Sequence, residues 1–230
     1  MRELPILMSG LLVRATLAGQ KTQTRRPIKD GPDWRDGGRW TWTASSTDRK
    51  AEGCFNYSYP DPNGNTYADR GPEKTVFSKR CPMGLAGDQL WVRETWRIDN
   101  NLSRDRYPQV VYRADEGFMV ARNAPAGVRL GAPNPKGDIW TPSIHMPRWA
   151  CRLVLPLVSV RVERVQSISE ADAIAEGLRR SDYGWTDGTT GYDTVSAREA
   201  FRELWDSIYG TWDANPWVAV YEWGQIEVSR

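Results

Sequence analysis

The residues best equipped for chemistry lie early in the chain. Gly19-Gln20-Lys21-Thr22-Gln23-Thr24-Arg25-Arg26 sets one amine, two hydroxyls and two guanidiniums within eight residues. A lysine there serves as a base once burial lowers its pKa from the reference of about 10.4. A threonine hydroxyl becomes a nucleophile when a base adjoins it. The same run also reads as an exposed basic strand start, and chemistry alone leaves both readings open. Glu176 is the second candidate. It ends a short helical stretch just before Gly177, where a carboxylate opposes the helix dipole. A residue that breaks a local rule often has a task elsewhere; a solvated surface glutamate is the plain alternative.

Other chemistries find little support. His145, the one histidine, stands in Pro-Ser-Ile-His-Met-Pro-Arg-Trp with no carboxylate or cysteine ladder beside it. It reads as a structural or surface residue. One histidine excludes zinc proteolysis of the HExxH kind. No GxSxG elbow occurs, and the glycine-rich pieces match neither GxGxxG nor GxxxxGKS.

The elements that must position these residues follow from periodicity and caps. Ser9 caps a helix carrying Leu11, Leu12, Ala15 and Ala18, and Gly19 stands at its C′ position. Thr22 and Thr24 then predict a short extended segment that Pro27 closes to any helix. Residues 28–80 are rich in Gly, Pro, Asp, Asn, Ser and Thr, with scattered aromatics. They read as an insertion with some short strands, a turn at Pro62-Asn63-Gly64 and little contribution to the core. Gln89 to Trp96 reads as one strand, with Leu90, Val92, Glu94 and Trp96 on one face and Trp91, Arg93 and Thr95 on the other. A second irregular stretch has a strand at Val110–Tyr112, and 124–137 reads as loop. From 151 a long strand alternates, with a phase change placed at Pro156. Arg161 and Glu163 lie on its polar side. Two capped helices follow, one opened by Ser169 with Ala171, Ile174, Ala175 and Leu178 on its apolar face. The other is opened by Ser196 with Ala197, Ala200, Phe201, Leu204, Trp205 and Ile208 as its stripe. Residues 180–194 read as loop, and Trp217 to Trp223 as a last strand. This order predicts one α+β domain over 1–230 around a mainly antiparallel, barrel-like sheet, with insertions at about 28–80, 97–142 and 179–195.

Composition narrows the class. The chain has 230 residues, enough for a real core. Its mean hydropathy is −0.62, and no run of about 18 apolar residues predicts a membrane helix. No signal-peptide pattern opens it. Cys54, Cys81 and Cys151 cannot all pair within one chain and form no CxxC, so free thiols and a cytoplasmic setting are expected. The net charge is +2 from 31 Lys and Arg against 29 Asp and Glu, so any nucleic-acid affinity rests on a local patch led by Lys21, Arg25, Arg26 and Arg148. Twelve tryptophans are unusual for this length; some belong to the core, not all need to, and tryptophan also stacks on bases.

Taken together, several segments resemble the ASCH family, whose fold is related to the PUA domain. They are Leu17 to Arg26 with its GxKTxTxR element, Gly87 to Glu94, Met146 to Ala150, Arg161 to Gln166, Ile168 to Gly177, and Asn215 to Val218. The resemblance covers most of the chain outside the insertions, and the layout is similar to long ASCH proteins of phages and prophages. It implies a PUA-like β-barrel, mainly antiparallel, with flanking helices, a helix-lined cleft, and modified nucleosides or RNA as partners. Small bacterial members are amidohydrolases that remove the acyl group from N4-acetylcytidine, and one member type is described as a ribonuclease.

Carried over residue by residue, the family's catalytic Lys, Thr and Glu fall on Lys21, Thr24 and Glu176. In that reading Lys21 deprotonates Thr24, Thr24 attacks the acyl carbonyl, and Glu176 positions or protonates the leaving amine. Arg26 and Arg93 stabilise oxyanion charge or grip ribose or phosphate. Trp91 or Trp96 stacks on the base, and Arg25 and Arg148 complete the substrate-binding set. No metal or organic cofactor is implied. Non-catalytic reading of RNA or a modified base is the first alternative and ribonuclease action the second. The insertions, which roughly double the chain relative to the small enzymes, leave the substrate open.

Overall fold

The computed structural model describes residues 1–28, 39–43, 53–58, 77–99, 107–125, 139–188 and 193–229. In chain order its first elements are β1 (Glu3–Leu7), α1 (Gly10–Leu17), β2 (Gln23–Pro27), β3 (Arg39–Thr43), β4 (Cys54–Ser58) and β5 (Phe77–Arg80). Next come β6 (Gln89–Arg93), β7 (Trp96–Asp99), β8 (Gln109–Tyr112), β9 (Phe118–Val120) and the long β10 (Leu153–Arg164). The chain continues through α2 (Glu170–Ala175), β11 (Arg179–Arg180), β12 (Trp185–Thr186), α3 (Ala197–Tyr209), β13 (Trp217–Trp223) and β14 (Glu227–Val228). The expected class, α+β with mostly antiparallel pairing, is observed. The turn expected at 62–64 lies outside the described residues, as do 126–137 of the expected loop at 124–137.

The central sheet runs β1-β6-β10-β13-β2, with β14 also on β10. Only β1 and β6 pair in parallel. β10 is long enough to serve two neighbours. Val154–Pro156 face β6, while Ser159–Arg164 face β13, and the ladder is irregular between Leu157 and Ser159. The phase change thus falls after Pro156, which stays opposite Gln89 while its carbonyl accepts the Gly224 N–H. Val158 is turned out to solvent, 56% exposed.

Alternation along the strands divides the core. Ala219, Tyr221 and Trp223 of β13 join Ile6, Val13, Leu90, Val92, Leu153 and Leu155 in the main cluster. Val218 and Val220 face the other way, onto Ala200, Phe201 and Trp205 of α3. A third cluster holds the β7-β8-β9 meander against Met146 and Ala150.

The helices start where their caps sit. Ser9, Ser169 and Ser196 each accept a backbone N–H of the first turn. Glu170 also accepts the N–H groups of Ala197 and Arg198, so a side chain of α2 caps α3. Gly19 and Gly210 close α1 and α3 with φ of 73° and 61°, a region few other residues tolerate.

Several expectations are corrected. The N-terminal strand β1 stands outside those expectations; in helix α1 the expected Ala15 is buried, with Val13 and Thr16 added to it, and Leu12 packs partly buried against the main cluster. The strand expected over 89–96 stops at Arg93; Trp96 begins β7 in a different sheet. Glu94 lies at the break, held inward by Arg152 at 3.0 Å through both carboxylate oxygens. Insertion 28–80 does carry strands, β3-β4-β5. It also enters the core, because Phe55 is 2% exposed within the main cluster. Of the face predicted to be apolar on α2, Leu178 just past the helix is buried in the second cluster, but Ala171 and Ile174 are exposed, and Ala173 and Glu176 are buried instead. Ile208 likewise falls outside the buried stripe of α3. The loop expected at 180–194 contains the two-residue strand β12, which pairs with β11.

A buried ion network as candidate functional site

Lys21 and Glu176, 155 positions apart, meet in the interior. Lys21 stands just ahead of β2, and Glu176 is the C-cap of α2. A single antiparallel bridge joins their backbones, and the Thr22 N–H donates to the Ala175 carbonyl. Gly177 permits the approach: it has φ of 98°, and a Cβ there would stand 3.1 Å from the Lys21 Cβ. The Lys21 amine donates to the Gln23 carbonyl at 2.8 Å, the Glu176 carbonyl at 2.7 Å and Glu176 Oε2 at 2.9 Å. An ammonium has three N–H bonds, and each has an acceptor. Burial pushes the amine below its ordinary pKa; the Glu176 carboxylate pulls it back up, and Arg26 and Arg25 push it down again.

β2 extends this pair into a network. Lys21, Gln23 and Arg25 recur at the strand period of two. Arg25, wholly buried, donates Nη1 to Glu176 Oε1 at 3.1 Å, and its Nε and Nη2 to Glu163 Oε1 at 3.1 and 2.5 Å. Its Nη2 also lies 3.1 Å from Asp172 Oδ2. Gln23 donates to the Asp172 carbonyl and carboxylate. Arg161 spans Glu163, Asp172 and Glu222. Three cations and four carboxylates thus knit β2, β10, β13 and α2 together. Asp172 is held below the usual carboxylate range, because Gln23, Arg25 and Arg161 outweigh its desolvation.

The other nominated residues are dispersed. Thr24 is buried and pairs with Tyr221 in register, on the face of β2 opposite Gln23 and Arg25. On that side the Tyr221 hydroxyl and Cys81 thiol lie 3.2 Å apart. Lys21 and Glu176 are therefore brought together, and Thr24 faces away from the network. Arg26 shares Thr24's face and donates to the Tyr209 hydroxyl at 3.1 Å and the Leu7 carbonyl at 3.3 Å. Arg93 lies over the Trp91 ring at 5.5 Å and donates to the Ile144 carbonyl. Arg25, expected at a ligand, has its guanidinium nitrogens turned onto carboxylates inside the protein. Trp96, expected to offer a stacking face, is 8% exposed and packs edge-on against Trp149. Arg148 pairs with Glu3. His145 is exposed, consistent with a surface residue.

Glu163, Asp172, Arg161, Gln23 and Glu222 are the site residues that sequence reasoning passed over. Their signal was present: Asp172 and Glu176 are spaced i, i+4 on one helix face, and Gln23 and Arg25 continue the phase of Lys21. All three cysteines are buried free thiols. Burial pushes Cys81 and Cys151 up, which suits inert packing rather than nucleophilic use. Among the described residues no helix is long and apolar enough to cross a membrane. No family model, no curated protein and no solved structure matches the chain.

Proposed function

We propose that this chain is an ASCH-type, PUA-like protein that hydrolyses the N4-acyl group of an acylated cytidine-type nucleoside. One observation carries the reading: Lys21 and Glu176, the two ends of the nominated catalytic set, meet at 2.9 Å while burial drives the lysine toward its neutral form. A neutral amine accepts the Thr24 proton as the hydroxyl oxygen bonds the acyl carbon. The bond between the acyl carbon and N4 then breaks, the cytosine amine leaves with a proton, and water releases the acyl group from Thr24. This chemistry requires Lys21 to give up at least one of its three present acceptors when ligand binds, and to reach the far side of β2.

Binding of a modified base without hydrolysis is the second reading. Saturation of all three Lys21 N–H bonds and the opposite facing of Thr24 favour it. The test is the conversion of N4-acetylcytidine to cytidine, followed by absorbance and chromatography, with calorimetric binding in parallel. Hydrolysis lost in Thr24→Val with binding retained supports the enzyme. Binding with no hydrolysis in the unaltered protein supports the reader. Metal-independent cleavage of labelled RNA would replace both.

A further inference from the structure

Strands β1 and β2 end the central sheet's path on its two sides. Among the described residues they share no ladder, yet one side chain joins them: Arg26 of β2 donates Nη2 to the Leu7 carbonyl of β1 at 3.3 Å. The two edges thus approach each other across a seam, and the Arg26 guanidinium stands in it. We propose that this seam holds the 5′-phosphate of the ligand, so that the protein takes a cytidine nucleotide in preference to the free nucleoside. The orientation of that ligand rests on the hydrolytic reading above.

The charge of Arg26 is available to an anion. Its two bonds go to neutral oxygens, the Leu7 carbonyl and, through Nη1, the Tyr209 hydroxyl at 3.1 Å. Among the described residues it has no carboxylate partner. Arg25, Arg148, Arg152 and Arg161 each have one. The seam is open to water on the Leu7 side, since Leu7 is 45% exposed and its bond to Arg26 lies at the surface. A phosphate arriving there breaks no ion pair. It exchanges two neutral contacts for charge-assisted hydrogen bonds, which are stronger. The fork of a guanidinium also suits two phosphate oxygens at once.

Position along β2 ties the seam to the nominated nucleophile. Thr24 and Arg26 alternate onto one face, about 7 Å apart along the strand. Tyr221 is registered opposite Thr24, and Ala219 opposite Arg26. Burial lowers the pKa of the Lys21 amine and raises that of the Tyr221 hydroxyl, and the Arg26 charge pushes both down. The guanidinium is therefore within electrostatic reach of both groups. In a cytidine nucleotide the 4-amino group and the 5′-phosphate lie at opposite ends. With the acyl carbon at Thr24, the phosphate points along β2 toward Arg26. The other face of β2 repels an anion, because Glu163, Asp172, Glu176 and Glu222 outnumber Lys21, Arg25 and Arg161 there.

The test is titration calorimetry at low salt with cytidine 5′-monophosphate, cytidine and inorganic phosphate. None carries an acyl group, so the readout does not depend on hydrolysis. The monophosphate is expected to bind at least tenfold more tightly than cytidine, and more tightly than inorganic phosphate. Arg26→Gln should bring the monophosphate to the affinity of cytidine, with cytidine itself within twofold and circular dichroism unchanged. Arg26→Lys, which keeps the charge and loses the fork, should weaken the monophosphate at least threefold, and it stands in if the glutamine variant does not fold. Arg113→Ala, which removes an exposed charge elsewhere, should leave the preference intact. Equal affinity for monophosphate and cytidine, no measurable monophosphate binding, or a preference kept in both Arg26 variants overturns the proposal. Inorganic phosphate binding as tightly as the monophosphate overturns the assignment of a nucleotide. N4-acetylcytidine hydrolysis, measured on the same protein, separates the two ideas. Hydrolysis without the monophosphate preference removes the seam alone; the preference without hydrolysis upholds the seam and removes the hydrolytic reading.

Discussion

Removing the Glu176 side chain tests whether the ion network is as buried in solution as the geometry implies. In Glu176→Ala, Lys21 keeps the Gln23 and residue-176 carbonyls, and Arg25 keeps Glu163 and Asp172. Both cations stay inside with less negative charge around them. Breaking a buried pair from one side costs about 3–5 kcal/mol, and the remaining acceptors favour the lower end. At roughly 2–4 °C per kcal/mol for a chain of this size, about 3 kcal/mol lowers Tm by about 9 °C. The deficit should shrink as pH rises. The folded amine has a pKa below the ordinary 10.5, so between the two values the unfolded chain binds more protons and stability climbs with pH. Loss of Glu176, which raises the lysine pKa, widens that window. Lys21→Met with Glu176→Gln leaves no unpaired lysine charge and should recover most of the loss. The assay is thermal and urea unfolding followed by circular dichroism between pH 7 and 10. A Tm drop under about 2 °C in Glu176→Ala, or a double variant no better than the single, would refute the burial argument.

Further predictions concern the frame around the site. Phe55→Ala should cost about 3–5 kcal/mol in urea unfolding, because this residue of the first insertion is 2% exposed in the main cluster; a cost below about 1 kcal/mol would return the insertion to the periphery. Gly177→Ala should lose about 2 kcal/mol by the same measurement, since φ is 98° and the new methyl would stand 3.1 Å from the Lys21 Cβ. Asp88 is held below the usual carboxylate range by hydrogen bonds from Arg2 and from the Leu85 N–H, despite desolvation. Its stabilisation is complete only well above the ordinary 3.8 and disappears as pH falls through the lowered pKa, so Asp88→Asn should flatten the acid limb of a stability–pH curve; an unchanged limb would refute the assignment.

Local signals in the sequence made the capped helices legible. Serine caps and closing glycines are short-range chemistry, and the three helix starts and the end at Gly19 follow from them. The strand β1 escaped because Pro5 interrupts Glu-Leu-Pro-Ile-Leu, and proline argues against a strand unless it lies at a sheet edge. Among the described strands β1 is such an edge, paired only with β6. The break after Arg93 was invisible because burial keeps alternating through Glu94 and Trp96. What ends the strand is distant: the Glu94 carboxylate turns to Arg152, and its N–H meets the Met146 sulfur. On α2, six residues gave too little length for a period. The network buries Glu176 there, while Ile174 is left exposed.

The spacing of Lys21 and Thr24 carries its own constraint. Three positions apart on an extended chain, two side chains point to opposite faces, and register with Tyr221 puts Thr24 on the core side. Lys21, just ahead of β2, keeps the phase of Gln23 and Arg25, with its amine turned to the Gln23 carbonyl. If the two residues act together, the rate must report the lysine proton. N4-acetylcytidine hydrolysis should then rise with pH toward a plateau, with an apparent pKa below 10.5, because burial depresses the amine. Glu176 raises that pKa, so Glu176→Gln should move the midpoint to lower pH even as the plateau falls. A purely structural role for Glu176 would lower the plateau and leave the midpoint in place. A midpoint moving upward in Glu176→Gln, or a rate independent of pH across this range, would remove Lys21 from the proton path.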